Sequence, residues 1–188
     1  MLIIKIVLFA SMFFWLFPPI KNRGTIYFNF FLLLAISDPV KILFGLLFRY
    51  QNSSVSLMLA FLTIAVLIEN KKMQITTLVL SLILPAGMLV SKIPPTGYLY
   101  VSVPISFIII VIISIRITRY LAQNKTVNLF MCLLLVYVSI TAFKKLALLF
   151  NPETGEVSFL IGGAFQILFA VAFTIVNANT KNFKLIKE

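Results

Sequence analysis

The sequence contains no histidine and only one cysteine, Cys132. Histidine is the commonest general base and metal ligand near neutral pH, so its absence removes the usual route to acid–base catalysis and metal binding. A single cysteine excludes an intrachain disulfide and a multi-cysteine metal site. No nucleophile stands at a spacing that pairs it with a base. We therefore predict a protein that is not an enzyme and that binds no metal and no cofactor.

Charged residues are also scarce. They make up 11% of the 188 residues, whereas hydrophobic residues make up 61%. Soluble domains usually carry about 25% charged residues, so this chain has too few polar groups to cover a globular surface. The composition predicts an all-α integral membrane protein, with the lipid bilayer as its main surroundings.

Acidic residues are the scarcest charged type, because 5 of them face 16 lysines and arginines and leave a net charge of +11. In a soluble protein this balance would suggest a nucleic-acid partner. Here the basic residues lie in short clusters between apolar runs, which is typical of membrane-topology signals. No nucleic-acid partner is expected.

Seven apolar runs approach the length of about 20 residues that a membrane-spanning helix needs. Their centres lie near Phe9, Ser37, Phe61, Leu82, Phe107, Tyr137 and the stretch between Gly162 and Phe173. The third and fourth runs are the shortest. The first run is expected to be a retained span, because no small-residue cleavage site precedes Pro18.

Basic residues divide unequally between the two sides of these spans. One side holds ten of them, Lys21, Arg23, Lys71, Lys72, Arg116, Arg119, Lys125, Lys181, Lys184 and Lys187, and the other side holds three, Lys5, Arg49 and Lys92. Cytoplasmic loops are enriched in lysine and arginine. The bias predicts an external N-terminus and a cytoplasmic C-terminus in the cell (inner or plasma) membrane. Four aromatic residues are predicted to be anchors at the membrane interfaces, namely Trp15, Tyr98, Tyr100 and Tyr120.

The segments Asn22–Leu59 and Asn124–Ile161 match without a gap at an offset of 102 residues, with identity at ten of 38 positions. Such self-similarity predicts an internal repeat. Because the offset passes over four helices, the repeat is parallel. Within one transmembrane domain over residues 1–188, we predict a first three-helix repeat over 1–70, a connector helix over 74–90, a second repeat over 98–178 and a short basic cytoplasmic tail over 179–188.

This three-plus-one-plus-three order resembles that of the SWEET sugar transporters and PQ-loop proteins, which also place the N-terminus outside. The resemblance is architectural and covers most of the chain. Their proline–glutamine signature is absent, since the first span ends in FPPIKN and its counterpart reads RYLAQN. The resemblance implies alternating access between two similar halves, and it does not by itself assign a function.

The second run places Asp38, Pro39 and Lys41 near the middle of a span. A charged side chain there costs roughly 3 kcal/mol, so intramembrane charges usually have a function. Lys41 lies one helical turn after Asp38, and the spacing predicts an ion pair between them. Pro39 is predicted to kink the helix, as are Pro85 and Pro104 in later spans.

Lys5, Lys41, Lys144 and Lys145 are predicted to lie at a similar depth in the outer half of the membrane. One interpretation is that these side chains extend to the headgroups while Asp38 neutralises Lys41. The other is a basic vestibule that attracts an anion, with Asp38 at its floor. Adjacent Lys144 and Lys145 point about 100° apart, so at most one of them faces the axis.

Two function classes remain open. The first is a small-solute transporter that works by alternating access and carries an anionic or polar solute. The second is a membrane sensor or scaffold subunit that does not transport and that recruits a cytoplasmic protein through its basic loops. A homo-oligomer is compatible with both classes.

Overall fold

The computed structural model describes residues 2–25, 27–48, 52–90, 95–151, 155–176 and 183–184. Within these residues the chain is helical apart from turns and one pair of two-residue strands, so the predicted all-helical class is confirmed. The elements are α1 (Leu2–Phe14), α2 (Phe17–Lys21), α3 (Phe28–Phe48), α4 (Asn52–Leu67), α5 (Lys71–Val90), α6 (Pro95–Asn124), β1 (Thr126–Val127), α7 (Leu129–Phe150), α8 (Gly155–Ile175) and β2 (Phe183–Lys184).

Helices α1 and α2 form one interrupted unit. The chain leaves the helix at Trp15 and Leu16, and α2 resumes with prolines in its first turn. Proline lacks the backbone N–H, and the first turn is where a helix has no partner for that group, so Pro18 and Pro19 are accommodated there. When the interrupted unit is counted once, the described chain has seven helical units, in agreement with the seven predicted.

Four stretches are long and apolar enough to cross a bilayer: Ile3–Lys21, Phe28–Leu46, Gly97–Asn124 and Leu129–Phe150. Two apolar stretches are shorter, Ser54–Leu67 in α4 and Leu160–Ile175 in α8. With 16 residues, α4 is about 24 Å long, less than the hydrocarbon thickness of about 30 Å. The described chain is therefore compatible with a multi-pass membrane protein, with four long apolar helices against the seven predicted spans.

Six of the seven units form a closed ring. The α1–α2 unit packs on α3, α3 on α4, α4 on α6, α6 on α7, α7 on α8, and α8 returns to α1. Helix α5 packs against α4. Aromatic contact between Tyr27 and Phe130 joins the beginnings of α3 and α7 at one end of the ring. We name this the basic end, because Lys21, Arg23 and Arg116 lie near it, and we name the other the opposite end.

An aromatic cluster fills the ring toward the basic end. Its members are Trp15, Tyr27, Phe30, Phe31, Phe130, Tyr137, Phe169 and Phe173, and all are buried. The ring centroids of Phe31 and Phe173 are 5.0 Å apart, and those of Trp15 and Tyr137 are 5.2 Å apart. Each such pair contributes about 0.5–1.5 kcal/mol beyond the area that it buries. The cluster therefore closes the interior at this end.

Two of the predicted interface anchors, Trp15 and Tyr98, are buried instead, with exposed fractions of 4% and 5%, whereas Tyr100 is exposed. Trp15 stacks in the aromatic cluster, and the Tyr98 hydroxyl accepts a hydrogen bond of 2.8 Å from Ser54 Oγ, which joins α6 to α4 at the opposite end. The prediction was wrong because both side chains lie near helix ends but face the interior of the ring.

Part of the predicted basic tail lies at the basic end of the ring. Strand β2 pairs antiparallel with β1, with Thr126 opposite Lys184 and Val127 opposite Phe183. The remaining predicted tail residues over 179–188 lie outside the described residues. So do several residues of the predicted charge bias, namely Arg49, Lys92, Lys181 and Lys187.

Candidate functional site

A cavity of about 220 Å³ lies inside the ring, above the aromatic cluster. All six ring units contribute to its wall, whereas α5 does not. The lining residues are Trp15, Phe30, Leu33, Leu34, Ser37, Asp38, Lys41, Ser56, Leu59, Ala60, Thr63, Ser106, Ile109, Tyr137, Val138, Thr141, Lys145 and Gln166. The cavity thus brings together three of the charged residues singled out in the sequence, Asp38, Lys41 and Lys145.

Asp38 and Lys41 form the ion pair that their spacing predicts. Lys41 Nζ donates to Asp38 Oδ1 at 2.9 Å. The two side chains keep exposed fractions of 23% and 28%, so neither is sealed in the core. Positions three apart on a helix lie on one face, and both side chains therefore reach the cavity from α3. The pair combines an anion and a cation on a single element.

Pro39 lies between these charges, and α3 continues through it. Because proline has no N–H, the carbonyl of Ala35, four residues earlier, receives no helical hydrogen bond from position 39. Ala35 is buried. Pro39 therefore removes the usual helical donor to the Ala35 carbonyl, one turn before Asp38.

Lys145 enters the cavity from α7. Its Nζ donates to Ser106 Oγ on α6 at 2.9 Å, and Ser106 Oγ donates to the Ser102 carbonyl at 2.9 Å. Lys145 is thus a cation whose hydrogen-bond partner is a neutral hydroxyl, in a cavity with one carboxylate.

Lys144 and Lys5 have different surroundings from Lys145. The Lys144 side chain lies across Gly162 of α8, where an added Cβ would collide with its Nζ, Cε and Cδ atoms. Lys144 does not line the cavity. Lys5 is exposed on α1 and does not line the cavity either. Of the two adjacent lysines on α7, Lys145 is the one that faces inward.

Hydroxyl groups line the rest of the polar wall. Ser37, Thr63 and Thr141 donate to the carbonyls of Leu34, Leu59 and Tyr137 in their own helices, at 2.8–2.9 Å. Each hydroxyl oxygen keeps lone pairs that can accept a further hydrogen bond. On the α1–α8 side, Ser11 Oγ donates to Gln166 Oε1 at 3.1 Å. The wall therefore presents acceptors and one amide beside the two ammonium groups.

The other two predicted kink residues lie away from this chemistry. Pro85 is buried within α5, and Pro104 is exposed within α6. Both helices continue through their proline, and neither residue lines the cavity. Pro39 alone among the three is next to the site.

Several cavity residues are absent from the sequence-based site. Tyr137, Ser106 and Thr63 line the wall but carry no local signal that separates them from other residues of apolar helices, and Trp15 was predicted only as an interface anchor. The sequence does show that Ser102 and Ser106 are four residues apart and so lie on one face of α6. It does not show that Lys145 of α7 contacts Ser106, because this contact depends on how the two helices are rotated against each other.

This arrangement can hold a polar or charged group through hydrogen bonds and ion pairs. Within residues whose side chains the structure describes, no three His, Cys, Asp or Glu side chains come together as a metal site would require. In the same residues every buried side-chain nitrogen or oxygen has a hydrogen-bond partner. The cavity is therefore a pocket lined by both apolar and polar side chains, with ionisable groups in its wall.

Comparison of this chain with protein-family models, with curated proteins and with solved structures found no match. The architectural resemblance to the SWEET transporters therefore receives no support from these comparisons.

Proposed function

We propose that this protein is a multi-pass membrane protein that carries a small anionic or polar solute by alternating access between two three-helix halves. The first half is the α1–α2 unit with α3 and α4, and the second half is α6, α7 and α8. The observation that carries the proposal is the cavity, because both halves line it and it holds Asp38, Lys41 and Lys145. Ionisable groups inside a helical membrane bundle usually mark a solute or ion pathway.

The helix bounds support the division into halves. At the offset of 102 residues, α3 (Phe28–Phe48) corresponds to residues 130–150, and α7 is Leu129–Phe150. The contacts between the halves follow the same relation, since α1 packs on α8 while α6 packs on α4. If each helix of one half is replaced by its counterpart in the other half, the contact between α1 and α8 becomes the contact between α6 and α4. Such an exchange is what a twofold axis through the cavity would produce.

The two ends of the ring support an access cycle. Toward the basic end the aromatic cluster fills the interior, and Arg116 Nη2 of α6 donates to the Leu67 carbonyl of α4 at 2.6 Å. Above this layer, Asp38 and Lys41 are partly exposed. With the predicted orientation, the basic end is cytoplasmic, and the structure would correspond to a state closed toward the cytoplasm. Transport requires the halves to rock so that this layer opens.

Asp38 is the residue that we assign to coupling. A carboxylate beside an ammonium group exchanges its partner when a proton, a cation or an anionic solute enters the cavity. We expect Asp38→Asn to abolish uptake and efflux, because the amide cannot take up and release charge in this way. Lys144→Ala should leave transport largely intact, because Lys144 does not line the cavity.

The proposal is tested by asking from which side of the membrane the cavity is reached. Cys132→Ser removes the single natural thiol, and Ser37→Cys then places a thiol in the cavity wall. Two preparations of sealed vesicles, one right-side-out and one inside-out, are each treated with a charged, membrane-impermeant methanethiosulfonate reagent. Alternating access predicts modification from both sides. Ser81→Cys is the matched control, because Ser81 is fully buried on α5 and away from the cavity, and it should react from neither side.

The sensor or scaffold subunit is the second candidate, and the strand pair at the basic end favours it. Residues 183–184 of the tail pair with 126–127 and give the basic loops a defined surface for a cytoplasmic protein. A subunit of this kind has no need for a cavity that opens on both sides. Modification of Ser37→Cys from one side only would therefore reject the transporter and favour the subunit.

A further inference from the structure

The charges of the cavity wall do not cancel. Lys41 and Lys145 contribute two positive charges and Asp38 contributes one negative charge. Asp38 is held by Lys41 at 2.9 Å, whereas Lys145 donates to the neutral Ser106. The lining charges therefore sum to +1, and the excess lies at Lys145. One monoanion bound there would make the cavity neutral.

The size of the cavity limits what that anion can be. An engineered cavity of about 150 Å³ lined by aliphatic and aromatic side chains binds benzene. The cavity here measures about 220 Å³, which leaves room for a six-membered ring and one small acidic group.

The walls divide into an apolar part and a polar part. Trp15, Phe30, Tyr137 and Ile109 form an apolar surface toward the basic end, and Lys145 with Ser106 forms the polar part. Aromatic faces suit a flat apolar body through stacked or edge-to-face contacts. The Lys145 ammonium group suits a carboxylate, which accepts charge-assisted hydrogen bonds, whereas the Ser106 hydroxyl already donates to the Ser102 carbonyl.

We infer that the cavity binds a small monocarboxylate with an apolar, preferably aromatic, body. Its carboxylate accepts hydrogen bonds from Lys145 and from Lys41, and its body packs against Trp15, Phe30 and Tyr137. This inference rests on the proposed function, since it names the solute class for the same cavity. Asp38 then competes with the solute carboxylate, because it holds the Lys41 ammonium group in an ion pair until the solute binds.

Competition from Asp38 keeps the affinity for the solute low enough for a carrier to release it. A carboxylate solute must share Lys41 with Asp38, which weakens binding and lets the solute leave again. Removal of the Asp38 charge leaves both ammonium groups to the solute and raises the lining charge to +2. Binding of a carboxylate should then tighten, and a dicarboxylate should become a good ligand.

The test uses Trp15, which is the single tryptophan of the chain and lies in the cavity wall. The purified full-length protein in detergent is titrated with benzoate while Trp15 emission is recorded, with excitation at the red edge of its absorption. We expect a saturable change with benzoate. Benzamide, which has the same shape without the charge, should bind about tenfold or more weakly, because a charge-assisted hydrogen bond is lost.

Three variants locate the site. Lys145→Gln should weaken benzoate binding about tenfold or more. Lys5→Gln is the matched control, because Lys5 is a second lysine within an apolar helix but is exposed outside the cavity, and it should bind benzoate like the wild type. Asp38→Asn changes binding in the opposite direction, with tighter benzoate binding and a marked gain for phthalate, the corresponding dicarboxylate.

Equal affinity for benzamide and benzoate, unchanged binding by Lys145→Gln, or no saturable change would each overturn the inference. If Lys145→Gln does not fold, the test depends on Asp38→Asn. A loss of benzoate affinity in a folded Asp38→Asn protein would contradict the claim that Asp38 competes with the solute for Lys41. Failure of the proposed function is distinguishable. If benzoate binds but Ser37→Cys is modified from one side only, transport is rejected and the ligand class is kept. If Ser37→Cys is modified from both sides but benzoate does not bind, transport is kept and the ligand class is rejected.

Discussion

Two adjacent glycines, Gly162 and Gly163, determine how closely α8 approaches its neighbours. A Cβ at Gly162 would meet the flexible end of Lys144, and a Cβ at Gly163 would meet Cγ1 of Val7 on α1. The end of a lysine side chain moves easily, whereas a β-branched valine has one preferred rotamer in a helix. The same substitution at neighbouring positions should therefore have opposite effects on stability.

Gly163→Ala should destabilise the protein by about 1–3 kcal/mol, because α1 must move away from α8 to admit the methyl group. Gly162→Ala should be neutral or stabilising by up to about 1 kcal/mol, because alanine is the better helix former and Lys144 can move aside. The measurement is the free energy of unfolding of both variants in detergent. Equal destabilisation by the two substitutions would contradict the packing described for α1 and α8.

At the scale of elements, the basic end is held together by a contact between α4 and α6. Arg116 of α6 donates to the Leu67 carbonyl near the end of α4 at 2.6 Å and pairs with Glu69 at 3.0 Å. The carbonyls of the last helical turn have no partners within the helix. Arg116 thus supplies a donor that α4 itself lacks, and it ties α6 to α4.

Arg116→Ala should cost about 1.5–3 kcal/mol of unfolding free energy, the range for a hydrogen bond to a charged group. Glu69→Gln should cost less than about 1 kcal/mol, because the Glu69 side chain is 72% exposed and surface ion pairs contribute little. Both are measured by unfolding in detergent. A larger loss for Glu69→Gln than for Arg116→Ala would show that the ion pair, and not the carbonyl contact, holds α4.

The sequence predicted local relations in these elements well and relations between elements poorly. The pairing of Asp38 with Lys41 depends on one helical turn, and the structure contains it. The choice between Lys144 and Lys145 depends on how α7 is rotated against α6 and α8, which a single helix does not determine. Burial of Trp15 and Tyr98 was missed for the same reason, because proximity to a helix end does not say which face the residue occupies.

At the scale of the whole molecule, the ring of six helical units makes the cavity a shared property of all of them. No single helix encloses it, since its charged groups come from α3 and α7 and its aromatic wall includes the α1–α2 turn. Periodicity and the 102-residue offset predicted the division into halves. They gave no account of the order in which the helices close the ring, which depends on packing between distant segments.

The proposed mechanism requires the halves to move in opposite senses at the two ends of the ring. Spin labels report this motion at exposed positions in a Cys132→Ser background. Arg23 and Gln123 lie at the basic end, on the first and second half, and Leu46 and Phe150 lie toward the opposite end, again on the first and second half. Each pair is converted to cysteines, labelled and reconstituted in bilayers.

The most direct measurement is the distance distribution of both pairs by double electron–electron resonance. The account predicts two distance populations for each pair. A condition that lengthens the distance at the basic end should shorten the distance at the opposite end. A single narrow distance for both pairs, unchanged when benzoate is added, would contradict alternating access between the two halves.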